Sequence, residues 1–298
     1  MNRLSIEVEE RCGYTVSEKL KKIWNVELDM LIQLLSVCSK YKLKIIVYSG
    51  TMLGAVRHKG FIPWDDDMDV AMPREDFQKL ISVAKKEFKE PLFFQTALTD
   101  SKFFVEYARL RNSLTTGMIR WNQSADYHNG IYIDIFPLDG YIESNIKLRL
   151  QLFEKMFIKQ FLAAYYADKT YKSRKPMFVT YMIKKLAHIY PYEYWYKKFV
   201  KIVSKYNEKT NRLSLIDHDI DVIRKYWCTK EDLEEIIWVP FEHIKVPIPQ
   251  NYDKILTNFY GNYMEFPPVE ERGRWHENMV IFEPDIPYKE YMDKLIRR

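Results

Sequence analysis

Cysteines and long apolar runs are scarce in this sequence, and each shortage argues against a class of protein. The 298 residues include only Cys12, Cys38 and Cys228. These cysteines are odd in number and far apart, which argues against a disulfide framework and a structural zinc site. No run of about eighteen apolar residues and no charged-then-apolar leader occurs. The sequence therefore predicts neither a membrane-spanning helix nor a signal peptide, and we expect a cytoplasmic protein.

A strong excess of one charge is also missing. Lysine and arginine total 46 against 41 aspartates and glutamates, which gives a net charge of +5. This mild excess can attract a phosphorylated donor or an anionic membrane, but it falls short of the basic surface of a nucleic-acid-binding protein. We therefore expect no nucleic-acid partner. The chain is long enough for one large domain or for a core with an inserted module.

A closely spaced pair of carboxylates is the most informative feature that is present. Asp67 and Asp69 flank Met68, and in a strand they would share one face while Met68 and Val70 point into a core. Two close anions favour a cation between them, and Mg²⁺ or Mn²⁺ suits such hard oxygen ligands. For this pair taken alone, the alternative is a solvated acidic turn.

A glycine-containing turn lies upstream of the carboxylate pair. Glycines let backbone N–H groups approach phosphate oxygens, and hydroxyl side chains add further donors. The turn residues that offer these properties are Ser49, Gly50, Thr51 and Gly54. Residues 44–48 predict a short strand and the residues up to Arg57 predict a helix, an arrangement that suits phosphate binding at a helix N-terminus.

A second predicted strand, residues 131–136, carries a lone carboxylate among apolar neighbours. Asp134 would face away from the core, and an unpaired buried carboxylate requires a cation, a hydrogen bond or protonation. We predict that this strand lies beside the one carrying Asp67 and Asp69 and that Asp134 completes a metal site. A salt bridge to a nearby arginine is the alternative. We expect Pro137 to end the strand.

Arginines near these motifs are candidates for binding donor phosphates. A guanidinium group binds phosphate through two hydrogen bonds and stays charged. Alternation over residues 103–111 predicts a strand that puts Arg109 and Arg111 on one face, and Arg57 follows the glycine turn. Ion pairs on a strand surface are the alternative for these side chains.

Three stretches of the chain, residues 48–76, 128–139 and 246–268, resemble the LicD family of phosphotransferases. The resemblance implies an α/β (α+β) fold, a nucleotidyltransferase-like mixed sheet flanked by helices with a helical insert, related to the fukutin proteins. It also implies metal-dependent transfer of a phosphoalcohol, with phosphocholine from CDP-choline as the best-known cargo. The acceptor would be a hydroxyl of a cell-surface glycan, such as capsule, teichoic acid or lipopolysaccharide, or its lipid-linked precursor, and CMP would leave.

Residue roles follow from that resemblance as expectations. The metal ion, Mg²⁺ or Mn²⁺, would be bound by Asp67, Asp69 and Asp134. Asp134 would also take the proton of the attacking hydroxyl. A choline group is best held by aromatic faces through cation–π attraction, and Trp64 is the first candidate, against core packing or base stacking. Further aromatic candidates near the motifs are Tyr107, Trp121, Tyr127 and Tyr132.

Other activities remain open at this point. A nucleotidyltransferase would attack the α-phosphorus and release pyrophosphate, and the cargo could be phosphoethanolamine, an aminoalkylphosphonate or a polyol phosphate. A non-catalytic glycan-binding protein would need no intact set of carboxylates. Asp67, Asp69 and Asp134 are all present, which argues against that last alternative.

The sequence divides into three predicted regions: a core over residues 1–140, a basic and aromatic helical insert over 141–235, and a C-terminal segment over 236–298 that packs back on the core. Residues 17–40 and 74–90 have helical spacing, and the insert is helical from 145 to 206 with breaks near 175 and 190. Residues 165–205 hold ten basic side chains against two acidic ones, interleaved with aromatics. Such a segment suits a peripheral contact with the inner face of the cell membrane; a solvated helical face is the alternative.

Overall fold

A mixed sheet with helices packed around it forms the centre of the molecule, which confirms the predicted α/β (α+β) class. The computed structural model describes residues 3–100, 103–119, 128–165, 177–273 and 280–296. No helix in these ranges is long and apolar enough to cross a bilayer.

Local sequence signals position the helices. The Ser17 hydroxyl accepts a hydrogen bond from the Leu20 N–H at 3.2 Å, so Ser17 caps the first helix at the predicted residue. The helices predicted over 17–40 and 74–90 are confirmed, the second ending at Glu87, and so is the break near 190; the break predicted near 175 lies outside the described residues. The helices are α1 Glu18–Lys40, α2 Ser49–Arg57, α3 Arg74–Glu87, α4 Asn145–Tyr165, α5 Met177–Ala187, α6 Tyr192–Val203, α7 Ile220–Lys225, α8 Tyr252–Tyr260 and α9 Tyr288–Ile296.

The strands are β1 Glu9–Arg11, β2 Tyr14–Val16, β3 Ile46–Val47, β4 Asp69–Pro73, β5 Leu92–Gln95, β6 Ala108–Asn112, β7 Thr116–Ile119, β8 Ile131–Gly140, β9 Arg212–Ser214, β10 Trp227–Thr229, β11 Ile236–Phe241, β12 Ile244–Pro249 and β13 Val280–Glu283. The long strand β8 lies at the centre of the main sheet. It pairs in parallel with β4 and antiparallel with β6 and β9. Strand β3 continues the sheet beyond β4, β5 continues it beyond β6, and β10 continues it beyond β9.

The pairing of β4 with β8 fixes the positions of two predicted carboxylates. Asp69 and Asp134 are register partners in these parallel strands, so the two residues are direct neighbours in the sheet. The N–H of Asp134 donates to the carbonyl of Met68 at 3.0 Å. The predicted adjacency of the two strands is therefore confirmed.

Strand β8 does not end at Pro137, contrary to the prediction. It continues to Gly140, and Pro137 pairs with Met72. Because alternate N–H groups of a strand point to opposite sides and that of Asp134 points to β4, an N–H at position 137 would point away from β4. On that side β6 ends opposite Ile135 and β9 begins opposite Asp139. Proline therefore costs no ladder hydrogen bond at this position.

The strand predicted over residues 103–111 is shorter than expected and begins at Ala108. The N–H of Glu106 donates to the Asp217 carboxylate at 3.1 Å, and the Glu106 carboxylate pairs with Arg74. These partners draw residue 106 out of the sheet, so the alternating pattern does not continue as a strand there.

Two apolar clusters accompany the predicted regions. The larger one includes buried residues of α1, β4, β8, β12 and α8, so the C-terminal segment shares the core of the sheet. The smaller one joins buried residues of α4, α6 and α7. The chain returns to the main sheet as β9 and β10, before the predicted boundary at residue 235. The three-region division itself stays a prediction.

Candidate active site

A cleft of about 590 Å³ opens where the start of α2 and the residues around the start of β4 meet the C-terminal segment; the predicted glycine turn is the first turn of α2. One wall comes from the predicted motifs and the other from residues after α8 begins. The lining residues are Ser49, Gly50, Trp64, Asp65, Asp67, Asp69, Tyr260, Pro267, Glu271 and Gly273. Five predicted site residues therefore meet at one cavity.

The backbone around Asp69 is fixed by three hydrogen bonds. The Asp69 N–H donates to the Thr51 hydroxyl at 2.8 Å, and its carbonyl accepts from the Tyr48 N–H at 2.9 Å. Met68 is buried, and its carbonyl accepts from the Asp134 N–H. With Met68 held in the core, Asp67 and Asp69 both line the cleft, but the strand predicted to start at Asp67 starts at Asp69, so Asp67 lies in the segment just before β4.

Ser49 adopts a left-handed backbone conformation with φ of +48°, which is unusual for a residue other than glycine. Such conformations cost energy and are found disproportionately at functional sites. The Ser49 hydroxyl lies 3.0 Å from the phenolic oxygen of Tyr260, which lines the opposite wall. Burial raises the pKa of Tyr260 well above its usual value, so the phenol is protonated at neutral pH and can donate a hydrogen bond.

Gly54 and Thr51 have structural roles that the sequence did not indicate. A side chain at position 54 would bring its Cβ within 2.5 Å of the Gly60 carbonyl oxygen, so Gly54 allows close packing of α2 against the following loop. Thr51 uses its hydroxyl to accept from Asp69. Gly50 is the turn glycine that lines the cleft, and a Cβ there would lie 3.2 Å from the Asp65 carboxylate.

Asp134 forms an ion pair with Arg109, with 2.6 Å between Oδ1 and the guanidinium Nε. Arg109 also stacks over Tyr132, with its guanidinium carbon 3.8 Å from the ring centroid. The salt bridge weighed as an alternative for Asp134 is therefore present. It holds the carboxylate in the strand beside Asp69, and it means that Arg109 contacts a predicted catalytic residue.

The structure places Arg57 and Arg111 away from the cleft lining. Arg57 donates to the backbone carbonyls of Tyr263 and Glu265 at 2.8 and 2.9 Å, so it anchors the segment after α8. Arg111 is fully buried and donates to Gln95 and to the carbonyls of Gly117 and Gly130. Long-range contacts with the backbone, rather than with a donor phosphate, satisfy both guanidinium groups.

Glu27 is a buried residue that the sequence reasoning missed. It lies one helical turn after Trp24, whose indole N–H donates to the Asp65 carbonyl at 2.9 Å. Within the described part of the chain, neither carboxylate oxygen of Glu27 has a hydrogen-bond partner. Burial raises the pKa of Glu27 well above its usual value, and the negative charges of the aspartates within residues 65–69 add a smaller increase. A glutamate on the apolar face of α1 was the available sequence signal.

The fit of the carboxylates to a divalent cation depends on how many of them lie together. Among the described residues, no three or more histidine, cysteine, aspartate or glutamate side chains are grouped to hold a metal ion. Mg²⁺, however, is usually held by one or two carboxylates and completed by water and substrate phosphates. Asp67 and Asp69 on one cleft fit that pattern, whereas Asp134 is engaged by Arg109. The pair is therefore the part of the site that could hold Mg²⁺.

Trp64 belongs to an aromatic group at the rim of the cleft. Its ring makes edge contacts with Tyr14, His58 and Phe266, and the guanidinium carbon of Arg272 lies 4.7 Å from its centroid. The ring face thus already accepts a cation from the protein itself. Burial, with smaller contributions from nearby arginines, lowers the pKa of His58 to about 4, so this imidazole is neutral at pH 7. The aromatic candidates Trp121 and Tyr127 lie outside the described residues.

Part of the chain matches a known protein family, and longer and shorter alignments join it to individual proteins. Residues 42–166 match the family model described as LicD/FKTN/FKRP, nucleotidyltransferase domain. The chain is 26% identical over 242 residues to the lipopolysaccharide cholinephosphotransferase LicD of Haemophilus influenzae, covering 81% of this chain and 89% of the relative. Shorter matches join it to uncharacterized proteins of Rickettsia typhi, 45% identical over 16% of each chain, and of Rickettsia prowazekii, 53% identical over 13% of this chain and 14% of the relative.

The matched segment contains α2, the segment with Asp67 and the strands that carry Asp69 and Asp134. The longest alignment extends well beyond that segment. The family-model match and the long alignment together support a LicD-type phosphotransferase.

Proposed function

We propose that this protein moves a phosphoalcohol from a CDP-activated donor to a hydroxyl of a cell-surface glycan or of its lipid-linked precursor, releasing CMP. Phosphocholine is the first candidate for the cargo, because the relative from Haemophilus influenzae is named as a lipopolysaccharide cholinephosphotransferase. Mg²⁺ or Mn²⁺ is the proposed cofactor, and CDP-choline is the proposed donor.

One observation carries the proposal. Asp67 and Asp69 line the same cleft as Ser49 and Gly50, the first two residues of helix α2. Phosphoryl transfer requires mainly positioning and neutralisation of charge on the phosphate oxygens. A helix N-terminus and two carboxylates face one cavity, and the carboxylates could hold a divalent cation. This arrangement is suited to a donor with two phosphates.

In the proposed reaction, the acceptor oxygen forms a bond to the phosphorus distal to the nucleoside. The bond from that phosphorus to the bridging oxygen breaks, and the electron pair leaves with CMP. A bound divalent cation would neutralise negative charge on the donor phosphates. Asp134 would accept the proton of the attacking hydroxyl, and Arg109, paired with it at 2.6 Å, would hold the carboxylate in position.

The proposal is tested by incubating the full chain with Mg²⁺, a glycolipid extract and a panel of CDP-alcohols. We expect CMP to form with one donor in preference to the others, and CDP-choline is expected to be that donor. Pyrophosphate from a nucleoside triphosphate would instead assign a nucleotidyltransferase reaction, and CMP from CDP-ethanolamine, CDP-ribitol or a CDP-aminoalkylphosphonate donor would change the cargo. No product with any donor, from a folded protein, would favour a glycan-binding role.

Trp64 is proposed to contact the choline group, since its ring lines the cleft and already stacks with Arg272. We expect Trp64→Leu to raise KM for CDP-choline by roughly tenfold, in line with the strength of a partly desolvated cation–π contact. KM for CDP-ribitol, whose cargo carries no cation, should change much less. Steady-state CMP release with both donors measures the difference.

Two further variants make the Trp64 experiment specific. Trp64→Tyr keeps an aromatic face and should retain most of the affinity for CDP-choline. Trp238→Leu removes an exposed tryptophan of β11 and should leave both KM values unchanged. Equal increases in KM for both donors in Trp64→Leu would show that the ring packs the site or stacks on the base rather than recognising choline.

The cellular location is part of the same proposal. We propose a cytoplasmic protein that contacts the inner face of the membrane, where a lipid-linked precursor would be presented. The sequence assigned that contact to residues 165–205, of which 166–176 lie outside the described residues. Exposed lysines on α5 and α6 support a membrane contact in the described part of the insert, because lysine is attracted to anionic lipid.

A further inference from the structure

The outward face of α4 is apolar. Ile146, Leu150, Phe153 and Phe157 are spaced by four, three and four residues, so they lie on one side of the helix. Their exposed fractions are 82%, 52%, 61% and 55%. Four large apolar side chains in a continuous exposed stripe are unusual on a water-facing helix.

The opposite side of α4 is already packed against the protein. Leu148 and Leu162 are buried in the smaller apolar cluster, and the Gln151 side chain donates to carbonyls at the end of α6. Lys155 is also buried on this side and donates to the carbonyls of Ile216 and His218. A helix of a soluble protein normally pairs one such packed face with a polar outer face. The apolar stripe of α4 is therefore not needed to hold the helix in the fold.

The stripe is continuous with aromatic surface on the neighbouring helix. Phe157 contacts Phe161 edge to face, with ring centroids 5.2 Å apart, and Phe161 stacks on Trp195 of α6 at 4.3 Å. Trp195 in turn contacts Tyr190 and Tyr194. Phe161 is itself buried, so this row of ring contacts joins the exposed Phe157 to the exposed Tyr190 between α5 and α6.

Basic side chains flank this surface along α5 and α6, whereas Asp217, Asp219 and Asp221 line a cavity on the other side of Phe153. Lys198 lies 5.5 Å from the Tyr194 ring centroid, and Lys185 lies 5.3 Å from that of Tyr181. Within the described ranges, the exposed cations of α4 and α6 that form no ion pair are Lys147, Arg149, Lys197, Lys198 and Lys201. A second copy of the chain docked on the same face would bring these like charges together, whereas anionic headgroups would complement them.

We propose that α4, with the adjoining surface of α5 and α6, docks on an anionic lipid surface, with Ile146, Leu150, Phe153 and Phe157 entering the boundary between headgroups and acyl chains. The proposal deepens the proposed membrane contact by locating its apolar anchors at residues 146–157, outside the 165–205 segment indicated by the sequence. An interfacial helix of this kind combines buried apolar area with attraction to anionic lipid. It does not depend on which phosphoalcohol is transferred.

The test is co-sedimentation of the full chain with vesicles of phosphatidylcholine alone or with about 30% phosphatidylglycerol, a content of the order found in anionic leaflets. We expect binding to the mixed vesicles, weakened by raised salt. The double variant Phe153→Gln with Phe157→Gln should lower the partition coefficient by roughly tenfold or more, because two large apolar side chains no longer enter the lipid. Lys197→Gln with Lys201→Gln should weaken binding only to the anionic vesicles.

A matched control replaces apolar side chains of similar exposure elsewhere. Leu114→Gln with Val269→Gln should leave partitioning unchanged, since both residues lie outside the α4 surface. Unchanged partitioning of the Phe153 and Phe157 variant, or no binding of the native chain, would overturn the proposal. A native dimer that becomes monomeric in that variant, without vesicle binding, would assign the face to self-association instead. CMP release with a water-soluble acceptor should be the same in all of these variants, which separates this test from that of the transferase reaction.

Discussion

Replacing Asp67 or Asp69 with asparagine is expected to lower CMP release by roughly a thousandfold. Both carboxylates line the cleft beside Ser49, and asparagine keeps their size while removing the charge that could hold Mg²⁺. A catalytic metal contributes several kcal/mol to transition-state stabilisation, and each ~1.4 kcal/mol corresponds to a factor of ten in rate. Single-turnover release of CMP at saturating Mg²⁺ measures the loss.

A second readout keeps this prediction independent of activity. Mg²⁺ should raise the melting temperature of the native chain in the presence of CDP-choline, since a ligand that binds only the folded state stabilises it. The shift should disappear in Asp67→Asn and Asp69→Asn. Asp293→Asn, which neutralises an exposed aspartate of α9, should preserve both the rate and the shift. Native-like rates in the two cleft variants would remove Asp67 and Asp69 from the mechanism.

Asp134 can be separated from the other two carboxylates in the same assays. If Asp134 accepts the proton of the attacking hydroxyl, Asp134→Asn should slow CMP release by roughly a hundredfold or more while the Mg²⁺ shift persists. Loss of the shift as well would make Asp134 a metal ligand. An unchanged rate would leave Asp134 as a structural partner of Arg109, to which it is bonded at 2.6 Å.

The part of the site built from local pattern could be predicted from the sequence. The pattern of Asp67, Met68 and Asp69 predicted a buried methionine with two carboxylates beside it, and both carboxylates line the cleft although β4 begins only at Asp69. The lone Asp134 among apolar residues indicated a neighbouring strand, and the register of β4 with β8 confirms that placement. The Ser17 cap and the amphipathic spacing of α1 were equally local signals.

The partners of the arginines could not be read in this way, because they are determined by contacts between distant segments. Arg111 looked available on an alternating strand, yet it donates to Gln95 and to the carbonyls of Gly117 and Gly130. Arg57 is occupied by the carbonyl of Tyr263, 206 residues later in the chain. Guanidinium groups that satisfy buried carbonyls have the same sequence signature as those that bind phosphate.

The second wall of the cleft shows the same limit. Tyr260 and Gly273 line the cavity only because α8 returns to the core, where its buried side chains join those of β3 and β4. The 246–268 stretch resembled the family, but its distance from Ser49 in the chain gave no indication that Tyr260 would lie within 3.0 Å of that hydroxyl. A site of this kind depends on tertiary packing as much as on its motif.

Replacing Arg74 with methionine is expected to destabilise the fold by about 3–5 kcal/mol, the typical cost of leaving buried charges without their partner. The Arg74 guanidinium is buried between the carboxylates of Asp139 and Glu106, with Nε 2.9 Å from Asp139 Oδ1. Asn207, which follows α6, donates to the same Asp139 oxygen at 2.9 Å. The cluster therefore joins the N-terminus of α3 and the end of β8 to the insert, and its loss should affect the whole molecule.

The destabilisation by Arg74→Met should depend on pH in a definite direction. Burial raises the pKa of Glu106 to about 8 even with Arg74 beside it, and removing the guanidinium takes away an influence that lowers this pKa. A group whose pKa is raised by folding adds stability at low pH that is lost as the pH rises through the folded-state value. Glu106 is protonated in both folded proteins below about pH 8, so it adds no pH dependence to the deficit there; above about pH 8 it ionises in the native fold but not in the variant, and the stability deficit should therefore grow from about pH 8 to about pH 10.

Urea denaturation of both proteins at the two pH values measures this deficit. Arg3→Met, which breaks an exposed ion pair with Asp29 at 2.8 Å, should cost under about 1 kcal/mol and show little pH dependence. Arg74→Lys should recover part of the lost stability, because an ammonium retains the charge without the two-sided geometry of the guanidinium. The stability deficit of Arg74→Met could instead be small, or shrink as the pH rises. Either result would mean that the two carboxylates find other partners and that apolar contacts hold the insert to the sheet.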